Sequence, residues 1–212
     1  MTIKQKITTG ILTIILILFP LLSWLNLQNG VNKRKEIKAE LKNLGKLSDF
    51  NLINQHGEPI TKAQFQGNIS IVNFLSTQGK GVQASLESLK KLEQFNKIDS
   101  LRFWIVTTNP QVDSVKTLLQ FALNHGIKDF GKYNLLTGAP EEIKKFTDTY
   151  GFDSKVSLAD ASQFALLDTS CMIRNRYDGS KSEDMARLVR HAAFIYPLKK
   201  VEKPEVKHQP QK

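Results

Sequence analysis

Ile69-Ser70-Ile71-Val72-Asn73-Phe74-Leu75-Ser76-Thr77-Gln78-Gly79-Lys80-Gly81-Val82 is the stretch on which the fold turns. Its first half, Ile69, Ile71, Val72, Phe74 and Leu75, is a nearly unbroken apolar run. Such a run predicts a strand buried on both faces, as in a sheet covered on both sides by helices. Beyond the glycines, Val82, Leu86, Leu89, Leu92 and Phe95 recur at spacings of three and four, which predicts an amphipathic helix.

The same alternation continues outward. Residues Leu101 to Thr108, with Phe103, Trp104, Ile105 and Val106, form a second buried strand. Val115, Leu118, Leu119, Ala122 and Leu123 make the next helix, closed by Gly126. A short strand follows over Tyr133 to Leu136. Pro140 with Glu141 and Glu142 then opens a helix, because proline suits the first turn and acids complement the helix dipole. Ile143, Phe146 and Tyr150 are its buried face and Gly151 its end. Phe164 to Leu167 and Met172 to Tyr177 read as a hairpin through Asp168-Thr169-Ser170-Cys171. A final helix carries Met185, Leu188, Val189 and Ala192 inward, with Ser180-x-x-Glu183 as a capping box. Upstream, Phe50, Leu52 and Ile60 flank the turn cluster Asn54-Gln55-His56-Gly57, another hairpin. Parallel units followed by an antiparallel hairpin give an α/β protein with a thioredoxin-like mixed sheet flanked by helices.

Ile7 to Leu27 is an uncharged, 21-residue apolar run, long enough as a helix to cross a bilayer core of about 30 Å. Lys4 and Lys6 precede it, Lys33, Arg34 and Lys35 follow, and Trp24 lies near one end. It exceeds a typical signal-peptide core and no small-x-small cleavage pattern follows, so it is expected to be a retained single-span anchor. The expected organisation is an anchor over 1–30, a polar spacer over 31–44, one domain over 45–196 and a basic disordered tail over 197–212.

The formal net charge is +10, unevenly placed. Residues 1–44 hold seven Lys/Arg against two Glu, and 197–212 hold five Lys against two Glu. That leaves 18 basic and 16 acidic residues in the body. A nucleic-acid partner would need a basic stripe on the domain itself, so none is expected. The cations flanking the anchor suit a membrane surface instead. Taken alone, the flanking charges favour a cytoplasmic domain.

Within this order of elements the chain resembles the SCO/SenC family of copper-delivery proteins over about residues 46–193. The resemblance is carried by Leu47-Ser48-Asp49-Phe50-Asn51-Leu52, the Asn54 to Ile60 hairpin, and Ile71 to Leu75 running into Ser76-Thr77. Thr108-Asn109-Pro110, Leu135-Leu136-Thr137-Gly138 with Glu141-Glu142-Ile143, Asp168 and Tyr177-Asp178-Gly179 complete it. It implies an inner-membrane protein with its domain facing the periplasm, against the charge argument. It also implies a link to respiratory-oxidase assembly proteins.

Members of that family carry CxxxC after the first buried strand and a histidine in an Asp-His-Ser stretch. Here the cysteine positions are Gly79 and Gln83, and the stretch reads Asp160-Ala161-Ser162. Copper(I) needs soft thiolate or imidazole donors, and disulfide exchange needs two thiols. Neither glycine nor alanine has a donor, and a glutamine amide is a poor soft one. No catalytic residue, cofactor or metal is therefore expected, and the reading is a non-catalytic accessory protein. The alternatives are an unrelated membrane-tethered binding module, or a redox protein using another site. Cys171, the one cysteine, lies in the hairpin turn away from residues 78–84 and reads as a turn residue; a redox role is the alternative. Gln78-Gly79-Lys80-Gly81 opens a helix and could hold an anion on its amides, or simply let the chain turn. His56, His125, His191 and His208 show no metal-ligand spacing.

Overall fold

The computed structural model describes residues 3–95, 98–152, 158 and 162–196, with side chains from residue 14 onward. The central sheet contains β3 (Ile69–Leu75), β4 (Leu101–Thr107), β5 (Tyr133–Leu136), β6 (Gln163–Leu167) and β7 (Ile173–Asp178) in the order β5-β4-β3-β6-β7. β3–β4 and β4–β5 are parallel; β3–β6 and β6–β7 are antiparallel. The parallel pairs are joined by α2 (Val82–Leu92) and α3 (Val115–Asn124). A parallel return needs such a crossover, whereas the antiparallel β6–β7 pair closes with a short turn. The α/β, thioredoxin-like reading holds.

All seven residues of β3 are buried, because both sheet faces are covered. Ile69, Ile71 and Leu75 point into one core with Leu89 and Leu92 of α2, Leu118 and Phe121 of α3, and Met185 and Leu188 of α5 (Ser182–Ile195). Val72 and Phe74 point into the other, against the small hairpin β1 (Asn51–Ile53) and β2 (Pro59–Thr61), Phe65, and Ile143 and Phe146 of α4 (Pro140–Asp148). This second core is aromatic: Phe65 stacks on Trp104 at 4.1 Å, and Phe50 meets Phe146 edge-on at 4.7 Å. Buried Trp104 donates its indole N–H to Ser70 Oγ at 3.0 Å, so no polar atom of that ring is stranded. Burying each large apolar side chain contributes about 1.5–3 kcal/mol, offset by chain entropy.

Both edges of the sheet are covered. At the β5 edge, Ile53 and Thr137 exchange backbone hydrogen bonds of 2.8 and 2.9 Å, and Leu135 N–H donates to the Gln55 side chain at 2.8 Å. At the β7 edge, Lys42 and Leu44 N–H donate to Arg174 and Ile173 carbonyls, and Ile173 N–H donates to Gly45.

The first helix, α1 (Ile3–Glu40), holds the apolar run and does not stop where it ends. Ile14, Leu16, Phe19, Trp24 and Leu27 are all more than half exposed, as a bilayer-facing surface requires. By length and hydropathy this helix is a candidate span. The segment over 31–44, expected as a polar, helix-compatible spacer, docks on the domain. Helix continues to Glu40, Ile37 packs on the α2/α3/α5 core, and Leu41 is buried in it. The reason is chemical as well as steric. Glu40 Oε2 accepts from Arg187 Nε at 3.0 Å and lies 3.1 Å from His191 Nε2; Asn175 Nδ2 donates to the Glu40 carbonyl. His191 is fully buried, with Nδ1 2.7 Å from the Tyr177 hydroxyl. Burial lowers the His191 pKa, against the pull of Glu40, and burial raises that of Tyr177. A neutral imidazole with Nε2–H toward Glu40 and Nδ1 accepting from Tyr177 satisfies every partner.

The predicted Ser180–Glu183 capping box does not form. α5 starts at Ser182 with Lys181 at its cap position, and Ser180 Oγ donates instead to Asp178. Asp184 accepts from the Asp178 N–H and from Arg187, which draws it away from solvent. The tail over 197–212 lies outside the described residues.

Candidate functional site

In an open α/β sheet the natural binding place is the crevice beyond the strand carboxyl ends, where successive connections diverge. Here β3 leads to β4 on one side and pairs with antiparallel β6 on the other. The segment Ser76–Gly81 emerges at that point and enters α2.

Three buried groups hold the segment. Asp113, fully buried, accepts from the Thr77 N–H at 3.1 Å and from the hydroxyls of Thr77 and Thr107. Its two oxygens thus tie the loop after β3 to the end of β4. Ser76 accepts from Gly79 N–H at 2.9 Å, and Gly79 from Val82 N–H at 3.2 Å, closing the turn into the helix. Beneath the first turn of α2, Asn73 Nδ2 donates to Ser85 Oγ at 3.1 Å and to the Gln163 carbonyl at 3.0 Å. Ser85 Oγ in turn donates to Ser162 Oγ at 2.9 Å. Ser88 Oγ donates to the Gly179 carbonyl, and a Cβ on Gly179 would lie 2.2 Å from Ser162 Oγ, so only glycine fits there.

These contacts place two of the three expected ligand positions. Gly79 is half-buried in the turn. Gln83 is exposed one helical turn later, with its amide donating to Glu87 at 3.0 Å. Ala161 lies outside the described residues. Its neighbour Ser162, however, is bonded to Ser85, two residues after Gln83. The chain on either side of the site is therefore stitched by a serine pair.

Cys171 is far from this point. In the β3–β6 register Phe74 faces Gln163 whereas Ser70 faces Leu167, so the turn at 168–171 lies at the opposite end of the sheet. It is also not a plain turn residue. Its side chain is fully buried in the aromatic core, its φ is +60°, and burial raises its thiol pKa. A buried, protonated thiol is a weak nucleophile. His56 packs against Phe130, and His125 caps α3 beside Phe121. His208 lies outside the described residues. Among the described residues no group of three His, Cys, Asp or Glu could hold a metal.

Sequence reading missed Asp113, Ser85, Ser88 and Ser162. The helix serines left a trace, since both interrupt the apolar face that Val82, Leu89 and Leu92 define.

The fold and the position of this crevice define a thioredoxin-like protein whose functional loop follows the first core strand. The chain belongs to the SCO1/SenC family, whose model matches residues 39–193. Among solved structures it is similar to a SCO1/SenC family lipoprotein from Bacillus anthracis, with 22% identity and a TM-score of 0.61. That match covers 71% of this chain and 94% of the lipoprotein. BsSco, described as having a disulfide switch and as a member of the Sco family of cytochrome c oxidase assembly proteins, matches at 22% identity and a TM-score of 0.56. It covers 70% of this chain and 93% of BsSco. Yeast Sco1 with copper bound matches at 22% identity and a TM-score of 0.53, over 72% and 94%. No curated protein matches the chain at significant similarity.

The positions at which the resemblance expects copper ligands carry no soft donor. Gly79 has no side-chain donor, Gln83 offers an amide already bonded to Glu87, and alanine stands at 161. Soft Cu(I) would find neither thiolate nor imidazole at these positions.

Proposed function

We propose that this protein is a membrane-anchored SCO-type domain that acts as a non-catalytic accessory or interaction protein in cytochrome oxidase biogenesis, without binding copper and without thiol exchange. The observation that carries this reading is the lack of a soft donor at the positions where the resemblance expects the ligands. Gly79 and Ala161 have no side-chain donor and Gln83 offers only an amide, while Asp113 with two threonines and the Asn73–Ser85–Ser162 chain hold the loop. Beside it, a cavity of about 510 Å³ lined by Thr108, Pro110, Pro140, Ile143 and Lys144 offers a mixed surface where a partner's side chain could seat.

The anchor is α1, in an inner membrane, with the domain facing the periplasm. The test has two arms. The purified chain is titrated with Cu(I) against a strong chelator, and a stoichiometric complex that survives competition refutes the reading. Cross-linked membranes are then probed for co-purification with oxidase subunits or their assembly factors. A reproducible absence of any such partner favours a membrane-tethered binder unconnected with the oxidase.

A further inference from the structure

The same helix that carries the apolar run also ends inside the domain. Ile37 and Leu41, one turn apart, enter the core, and Glu40 between them is held by Arg187, His191 and, through its carbonyl, Asn175. Beyond Glu40 the chain gains backbone hydrogen bonds to β7 at once, through Lys42 and Leu44. No free tether separates the apolar run from the domain. From Leu27 to Glu40 the helix rises about 20 Å at ~1.5 Å per residue.

The geometry points to α1 and the domain moving as one rigid body, with Glu40 as the latch that fixes the height and tilt of the domain above the bilayer. This deepens the anchored reading and rests on α1 being a membrane span. A tethered domain would sample a hemisphere of orientations. A latched one holds the domain at a set height, with Glu40 about 20 Å along the helix from the end of the apolar run. The charged groups facing the latch are few: Arg187 and Arg190 on α5, Asp184 bonded to Arg187, and Glu40 itself. Gly30 is the one position along Gln28–Glu40 without a side chain, and so the place where the stalk is weakest.

The test uses the full chain in vesicles of phosphatidylcholine and phosphatidylglycerol, spin-labelled at Lys33→Cys and Lys116→Cys; buried Cys171 is shielded from the label. Pulsed dipolar spectroscopy should give one narrow distance distribution, broadening about twofold in Glu40→Ala/Leu41→Ala as the latch opens. A broad distribution in the unaltered chain overturns the proposal. If the double variant loses its tertiary circular-dichroism signal, Glu40→Ala alone, which removes the acceptor and keeps Leu41, decides: broadening supports the latch, and an unchanged width overturns it. Vesicle flotation is run on the same samples. A chain that fails to float yet keeps the narrow distribution refutes the membrane span and leaves the latch standing.

Discussion

Replacing Asp113 by alanine should destabilise the domain by about 3 kcal/mol. The side chain is fully buried and accepts three hydrogen bonds, from Thr77 N–H and from the hydroxyls of Thr77 and Thr107. Removing an acceptor of this kind forfeits about 0.5–1.5 kcal/mol per bond, or more where the acceptor is charged. The Thr77 amide then lacks a partner, at about 1–3 kcal/mol, while the two hydroxyls can rotate toward other acceptors. Small relaxation of the loop recovers part of this, leaving the net near ~3 kcal/mol. With a urea m-value of about 2 kcal/mol/M for a domain of this size, the midpoint should fall by roughly 1.5 M. The measurement is urea unfolding of a chain beginning at Gln28, followed by tryptophan fluorescence, since buried Trp104 lies on the strand that Asp113 ties down. Thr77→Val and Thr107→Val complete a double-mutant cycle and should each couple to Asp113. A midpoint shift below about 0.4 M, or no coupling, would refute the view that this carboxyl holds the loop.

Three further outcomes are expected. Gly79→Cys, Gln83→Cys and Ala161→His together should create a Cu(I) site on the existing scaffold, helped by the lowered thiol pKa at a helix N-terminus; a folded triple variant that binds no copper shows that the ligand positions are misplaced. Because burial depresses the His191 pKa, the unfolded chain takes up the proton first, so stability is complete above about pH 6.5 and declines as pH falls below it. His191→Gln should flatten urea midpoints across that window, and an unaltered slope assigns the pH dependence elsewhere. A reporter fused after Tyr196 should show active alkaline phosphatase and a dark cytoplasm-maturing fluorescent protein; the reverse pattern puts the domain in the cytoplasm, as the flanking charges alone argue.

Most of the domain was legible because its elements bury strong periodic patterns. The unbroken run of β3, the three-and-four spacing of α2 and the proline-acid start of α4 each have one cheap structural solution. The docking of the segment over 31–44 was not legible, although its helix-compatible composition was, because its inward residues are Ile37, Leu41 and Leu44, and three apolar residues make no pattern. Its docking depends on Arg187 and His191, some 150 positions later, and long-range ion pairs leave no local trace. The Ser180–Glu183 box failed for a related reason: Asp178 competes for the serine hydroxyl. At the site, the missing donors were visible by resemblance. The groups that hold the loop were not, since Asp113 acts across a strand and Ser162 across 77 residues.

The strip of chain over 42–46 lies along the free edge of β7. That strip decides where the polypeptide can safely be cut. A fragment begun at Lys46, as the sequence boundary near 45 invites, would bare the carbonyls of Ile173 and Arg174 and remove Glu40 from beneath buried His191. Open strand edges recruit whatever strand is nearest, and in a concentrated solution that is the same edge of a second molecule. Such a fragment would pair edge to edge and precipitate, or swap segments between copies. One begun near Gln28 keeps its own edge guard and stays monomeric.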